Sequence, residues 1–324
     1  MKIGITTTVP MEIIFAAGHT PVDLNNVFIT GDNPGYLVEE AELAGYPRNV
    51  CSWIKGLYST VLKSKDIRTV IAVTQGDCSN THALMETLEL AGIEIIAFAF
   101  PFDRDPDLLR LQMEKLMEHL GTDYETVYAT KTKLDQIRQL VWQIDQLTWR
   151  ENVVHGWENH LFQVNCSDFM GDPDTFAREA DEFIAEAKTR EPDRKSLRIG
   201  YIGVPPIMGD LYDYLESKGG RVVFNETQRQ FSMPYHTKDM VEQYRLYTYP
   251  YGIFFRLNDI CNEISRRKID GIIHYAQSFC YRQIEDLIIR QKIKMPVLTI
   301  EGDKPNQLDA RTKMRIDSFL EMLR

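Results

Sequence analysis

Two stretches of the chain place a cysteine in the same setting. VTQGDCSN closes an apolar run with Gln75, two residues and Cys78, and YAQSFCYR does the same with Gln277 and Cys280. Each follows a segment whose apolar, β-branched composition predicts a buried parallel strand, and each precedes a predicted helix. In open α/β sheets, ligands collect beyond the carboxyl ends of the strands. A third cysteine, Cys51 in YPRNVCSWIKG, stands at a predicted helix start, where free backbone N–H groups favour a thiolate. Three thiols on three loops that lead into helices are a soft-metal donor set. Each is equally compatible with a loop thiol that binds nothing.

Two metals suit such donors. Cys78-x-x-x-His82 could add an imidazole to Cys51 and Cys280 and complete a tetrahedral zinc site, although His82 also reads as a solvated helical residue. An iron–sulfur cluster held by only three thiolates would instead keep one iron open to a substrate oxygen. The other two cysteines fit less well. Cys261 shares a predicted helix face with Leu257, Ile260 and Ile264, which predicts burial, and Cys166 lies in a polar loop.

Other polar residues have two readings each. Glu12, at a predicted strand end, is a candidate catalytic carboxylate that takes a proton or positions a substrate hydroxyl; it equally suits a helix N-terminus. Gln75, Gln277 and Lys55 are candidate substrate-binding residues, the glutamines also orienting their loops, and Lys55 also reads as a solvated helix residue. His274, inside a predicted strand, reads as a core histidine. Tyr235, Tyr244, Tyr247, Tyr249 and Tyr251 predict a tyrosine-rich loop that packs, meets a partner or faces a substrate.

The elements that must position these residues alternate strand and helix. The first section has strand segments KIGITTTVP, PVDL, VFIT, TVIAVT and EIIAFAF, with helices at 11–17, 52–63 and 83–91. Helical periodicity then dominates at 107–120, 133–150 and 176–188. Strands resume at LRIGYIG, RVVFN, GIIHYA and PVLTI, with helices at 208–218, 254–267, 284–291 and from about 309 to the end. KIGITTTVP aligns with RIGYIGVPP, GHTPV with GGRVV, and the first Gln-x-x-Cys with the second, in the same order. That order predicts a diverged duplication. The fold class is α/β, with two Rossmann-like parallel-sheet lobes joined by a helical section. Residues 1–105 form the N-terminal lobe with two of the cysteines, 106–195 the connection, and 196–324 the C-terminal lobe with the third.

Bulk properties exclude some function classes. The 324 residues suffice for two compact domains, and the absence of an apolar run of about 18 residues predicts no membrane span. With 37 basic and 47 acidic residues the net charge is −10, unsuited to unspecific nucleic-acid binding. Five cysteines do not form a disulfide framework, and the first residues carry no signal-peptide pattern, so a cytoplasmic location is expected.

The segments VPMEIIFAAGHTPVDL, CSWIKG, TQGDCSNTHALMETL, GGRVVFNE, SFCYR and PVLTIEGDKPNQLDARTKMRIDSFLEML resemble the 2-hydroxyacyl-CoA dehydratase / benzoyl-CoA reductase family. The similarity runs over nearly the whole chain and is weakest between about residues 105 and 195. It implies a [4Fe–4S] cluster between two α/β lobes on Cys51, Cys78 and Cys280. It implies an acyl-CoA substrate, dehydrated through a one-electron ketyl radical, and a homo- or heterodimer. The chain has no GxxxxGK[ST] motif, so ATP-driven electron delivery would come from a separate activator iron–sulfur protein. The chain is shorter than typical catalytic subunits, which keeps open a low-potential reductase or electron-transfer protein of the same family. A zinc-binding or metal-free α/β module is the remaining alternative.

Overall fold

Two four-stranded, fully parallel sheets organise the protein, and they have the same strand order. The computed structural model describes residues 1–324. The first section contains β1 (Lys2–Ile5), α1 (Met11–Ala16), β2 (Thr20–Asp23), α2 (Leu24–Thr30), α3 (Pro34–Leu43), α4 (Ser52–Lys63), β3 (Ile67–Gln75), α5 (Thr81–Leu90) and β4 (Glu94–Ala99). Its sheet runs β2-β1-β3-β4. The last section contains β5 (Leu197–Gly203), α10 (Leu211–Ser217), β6 (Gly220–Asn225), α11 (Glu226–Phe231), α12 (Met240–Leu246) and α13 (Ile253–Arg267). It continues with β7 (Gly271–Gln277), α14 (Glu285–Lys292), β8 (Val297–Gly302) and α15 (Ala310–Leu323). Its sheet runs β6-β5-β7-β8, the same order element for element. Gln75 pairs with Ala99 and Gln277 with Gly302, each at the carboxyl end of its strand.

Between the sheets lie α6 (Pro106–Leu120), α7 (Tyr124–Gln146), α8 (Gly156–Asn165) and α9 (Pro173–Ala187). Their starts follow from local chemistry. Asp105, Asp123 and Asp172 each accept a backbone N–H of the first turn, and proline occupies the first helical position of α6 and α9. Gly121 closes α6 with a φ of +72°. The largest core joins all three sections. Ile3, Ile5 and Phe98 of the first sheet, with Phe100 just past β4, meet Leu116, Leu134 and Val141 of the middle helices and Tyr244, Tyr247 and Tyr251 of the last section.

Three expectations about elements change. VFIT is not a strand: it forms part of α2, because Asp23 caps that helix by accepting from the Asn25 N–H at 2.9 Å. Helix α2 then packs its buried Phe28 onto α4, where Gly56 admits the ring; a Cβ there would lie 2.4 Å from it. The tyrosine-rich segment is not all loop, since it contains α12. Cys261 is exposed, one residue past the buried Ile260 and so turned off the inner face of α13.

Candidate functional site

Both sheets turn their carboxyl ends toward one cavity of about 830 Å³. Its wall takes Thr6 and Thr7 after β1, Asp23 at the end of β2, and Asp77 and Cys78 after β3. From the other sheet come Val204 to Met208 after β5, Gln277 at the end of β7 with Cys280 beyond it, and Pro305 to Gln307 after β8. Cys51, at the start of α4, completes a set of three thiols on this wall.

Each thiol is delivered by a distinct local device. Cys51 is the N-cap of α4. Beneath it, Lys55 is fully buried and donates from Nζ to Glu42 Oε1 at 2.8 Å and to the Arg48 carbonyl at 3.2 Å. Lys55 is therefore a positioning residue for the loop that carries Cys51, and it does not line the cavity. Cys78 follows Gly76, whose φ of +101° and crowded surroundings exclude a side chain. A Cβ at Gly76 would lie 2.7 Å from Pro250 Cβ and 3.0 Å from Phe100 Cβ. On the other side, the Cys280 N–H donates to the Gln277 carbonyl at 3.1 Å. Gln277 donates from Nε2 to the Asp303 carbonyl at 2.8 Å and accepts the Tyr275 hydroxyl at 2.7 Å. The matching Gln75 is exposed and lies off the cavity wall, so the two glutamines are equivalent in register but not in role.

The thiols are electrostatically aware of one another. Burial pushes Cys51 up to about 12, with Cys78 and Cys280 adding to the rise. Here burial overrides the helix-start N–H groups, which act in the opposite direction. Burial also pushes Cys78 up to about 11, reinforced by Asp77, and raises Cys280 against the pull of Arg282. With their pKa values raised in this way the three groups are neutral thiols, and a bound cation would supply the positive charge that lets them ionise. No group of three or more His, Cys, Asp and Glu side chains is gathered tightly enough for a single metal ion. The Cys₃His set is not assembled: His82 Nε2 faces the Thr74 carbonyl at 2.9 Å and lies off the wall.

Glu12 lies elsewhere. It is fully buried in α1, where Oε1 accepts from Arg138 Nη1 at 2.7 Å and from Gln243 Nε2 at 2.8 Å. Its Oε2 accepts the Tyr244 hydroxyl at 2.7 Å. Burial raises its pKa, but Arg138, the backbone and Tyr244 together hold it below the ordinary range. It joins α1 to α7 and α12 and does not touch the cavity. His274 is a core histidine, paired with Asp286 at 2.7 Å. Cys166 is buried at the end of α8, off the wall.

Apart from Tyr249, the other wall residues were not singled out from the sequence. Helix α8 contributes Trp157, His160, Leu161 and Val164, at the i, i+3, i+4, i+7 spacing of one helical face, a signal present in the sequence. His160 stacks on Trp157 at 4.9 Å, and its Nδ1 meets Tyr212 and Gln228 at 3.1 and 3.2 Å. Burial lowers its pKa to about 3, so the ring is neutral. Asp23, Asp77 and Val204 obey the strand-end rule that located Cys78. Tyr249 is the one member of the tyrosine-rich segment on the wall, with its hydroxyl 3.2 Å from Asp77 Oδ1.

No helix is long and apolar enough to cross a membrane. No curated protein matches the chain. Residues 6–323 match the family model described as 2-hydroxyglutaryl-CoA dehydratase, D-component. The match spans nearly all of the protein, and the chain therefore belongs to the 2-hydroxyglutaryl-CoA dehydratase D-component family.

Proposed function

We propose that Cys51, Cys78 and Cys280 hold a [4Fe–4S] cluster, and that the chain is the iron–sulfur subunit of a 2-hydroxyacyl-CoA dehydratase. The observation that carries this reading is the convergence of these three thiols, from three separate loops, on one cavity at the carboxyl ends of both sheets. The donor set suits the group in kind: three soft ligands, all buried or half-buried. Bound there, the cluster would supply one-electron reduction and, with only three protein ligands, a Lewis-acidic iron position open to a substrate oxygen.

The chain's own residues bind, orient and enclose. Lys55 fixes the loop of Cys51, Gly76 lets the Cys78 loop approach Pro250, and Gln277 fixes the loop of Cys280. Trp53 and Trp157, with the α8 face, wall off water from the acyl group. Loss of water from a 2-hydroxyacyl group needs an acceptor for the C3 proton, and the carboxylates on the wall are Asp23, Asp32 and Asp77. Glu12 keeps a structural role in this reading. Electron delivery falls to a separate ATP-dependent activator iron–sulfur protein.

Anaerobically prepared protein, mixed with a matched activator, ATP and a reductant, should convert a 2-hydroxyacyl-CoA into the 2-enoyl-CoA. A chain that contains the cluster and accepts electrons but turns over no 2-hydroxyacyl-CoA would instead be a reductase or electron-transfer protein.

A further inference from the structure

Every buried lysine and arginine of the protein pairs with a carboxylate except Arg221. Pairing is what lets a charge leave water, so the exception calls for a partner from outside the chain. Arg221 is the second residue of β6, and in the parallel register it stands directly beside Arg198 of β5. The two line one small cavity of about 140 Å³, together with Asn152, Asp193, Arg194 and Ser196. Three arginines against one aspartate leave this wall a formal surplus of two positive charges. The nearby carboxylates are committed. Asp193 accepts the Lys195 and Ser196 N–H groups at 2.9 and 3.2 Å and the Ser196 hydroxyl at 2.7 Å. Glu158 is held by Arg190, Glu216 by His155 and the Gly156 N–H, and Asp270 accepts the Arg198 N–H. The two guanidiniums donate only to neutral oxygens. Arg198 donates to the Arg267 and Trp149 carbonyls and to Asn152 Oδ1. Arg221 donates to the Val154 carbonyl and, at 3.4 Å, to that of Asp193, while its Nε has no partner. A guanidinium has five N–H donors, so both keep donors to spare. Burial lowers the pKa of both arginines, the mark of cations that lack an adequate counter-charge.

We infer that this cavity binds a phosphate dianion, as the free ion or as the end of a small monoester. Two like charges on adjacent strands repel, and an anion between them turns that repulsion into attraction. A dianion matches the surplus of two charges, and the planar fork of arginine suits phosphate oxygens. The site is separate from the thiol cavity. Arg198 and Arg221 stand at the amino ends of β5 and β6, whereas the thiols face the carboxyl ends. From Arg198 to Val204 the distance along β5 is roughly 20 Å at the rise of a parallel strand. The wall brings together three parts of the chain. Asn152 comes from the segment between α7 and α8, Asp193 to Ser196 from the link between α9 and β5, and the arginine pair from the β6 edge of the second sheet. A phosphate held there fastens the helical connection to the C-terminal lobe. The inference stands independently of the cluster and of the thioester substrate.

The test is thermal unfolding and calorimetric titration of the full-length protein at pH 8 with inorganic phosphate, with AMP, and with sodium chloride at matched ionic strength. Phosphate should raise the melting temperature saturably, by roughly 5 °C at a hundred times its Kd, and chloride should not. A response to phosphate alone supports the free ion, and a stronger response to AMP supports the monoester. Arg221→Met should lose the response. In chloride alone it should be at least as stable as the wild type, because an unpaired buried charge is gone. Arg194→Glu reverses a charge at an exposed position and should weaken phosphate binding at least about tenfold. A wild-type protein that responds to phosphate and AMP no more than to chloride overturns the inference. So does a wild-type response in Arg194→Glu, which decides the matter even if Arg221→Met does not fold.

Discussion

Arg138 Nη1 donates to Glu12 Oε1 at 2.7 Å, with both side chains withdrawn from solvent and 126 residues apart in the chain. A carboxylate held this way, and further bound by Gln243 and Tyr244, clamps α1 against α7 and α12. Removing the Glu12 charge leaves the buried Arg138 with Asp135, at 2.9 Å, as its only remaining carboxylate partner. Glu12→Gln is therefore expected to lose about 3 kcal/mol of stability in urea unfolding at pH 7, the low end for a broken buried pair. The double variant Glu12→Gln/Arg138→Met should recover part of that loss. Because the folded pKa of Glu12 lies below its ordinary 4.5, its contribution is present above that value and fades as pH falls through the folded pKa. The deficit of Glu12→Gln should shrink on acidification in step. A Glu12→Gln protein with wild-type stability would show that the clamp is not what the carboxylate is for.

Asp168 has the opposite sign. Burial, and then the charge of Asp23, raise its pKa to about 7, and its Oδ2 accepts the Asp23 N–H at 2.7 Å. The folded protein keeps a proton that the unfolded chain releases near 3.8. This stabilising contribution is complete below that value and is lost as pH rises through about 7. Asp168→Asn cannot titrate. Its stability relative to wild type should therefore improve by a few kcal/mol, to order of magnitude, between pH 4 and pH 8. Parallel stability curves for the two proteins over that range would contradict the assignment.

Gly76 and Gly92 separate backbone strain from crowding. Both have positive φ, +101° and +82°, but only Gly76 has neighbours where a Cβ would go. Gly92→Ala should cost about 1 kcal/mol, while Gly76→Ala should cost clearly more, because Pro250 and Phe100 must also move. Urea midpoints for the two variants test this, and equal losses would mean that the Cys78 loop is not held against Pro250.

The sheets were legible because parallel strands buried on both faces leave apolar β-branched runs, as in β3 and β7. The repeated Gln-x-x-Cys located two cavity thiols because strand ends are where such sheets expose their loops. What failed was whatever depended on distant partners. VFIT has strand composition, but the Asp23 cap and the Gly56 contact with Phe28 make it helical. Glu12 and Lys55 each had a site reading beside a helix reading in their segments, and the buried partners they take, Arg138 and Gln243 for one and Glu42 for the other, are distant in the sequence. Gln75 and Gln277 match in sequence and register, yet only Gln277 has the Tyr275 hydroxyl and Asp303 carbonyl that hold it inward. The α8 face was present as spacing, but its polar residues Asn159 and Gln163, buried against Asp145, mask the pattern.

In the proposed function Cys51, Cys78 and Cys280 act together as the ligands of one cluster. The most direct measurement is the iron and acid-labile sulfide content of anaerobically purified protein, compared across single Cys→Ser variants. About four irons and four sulfides per chain are expected in the wild type, as a single [4Fe–4S] cluster requires. Each of Cys51→Ser, Cys78→Ser and Cys280→Ser should show marked loss, and Cys166→Ser and Cys261→Ser wild-type content. An iron-free wild-type protein, or iron that survives unchanged in all three cavity variants, would contradict it.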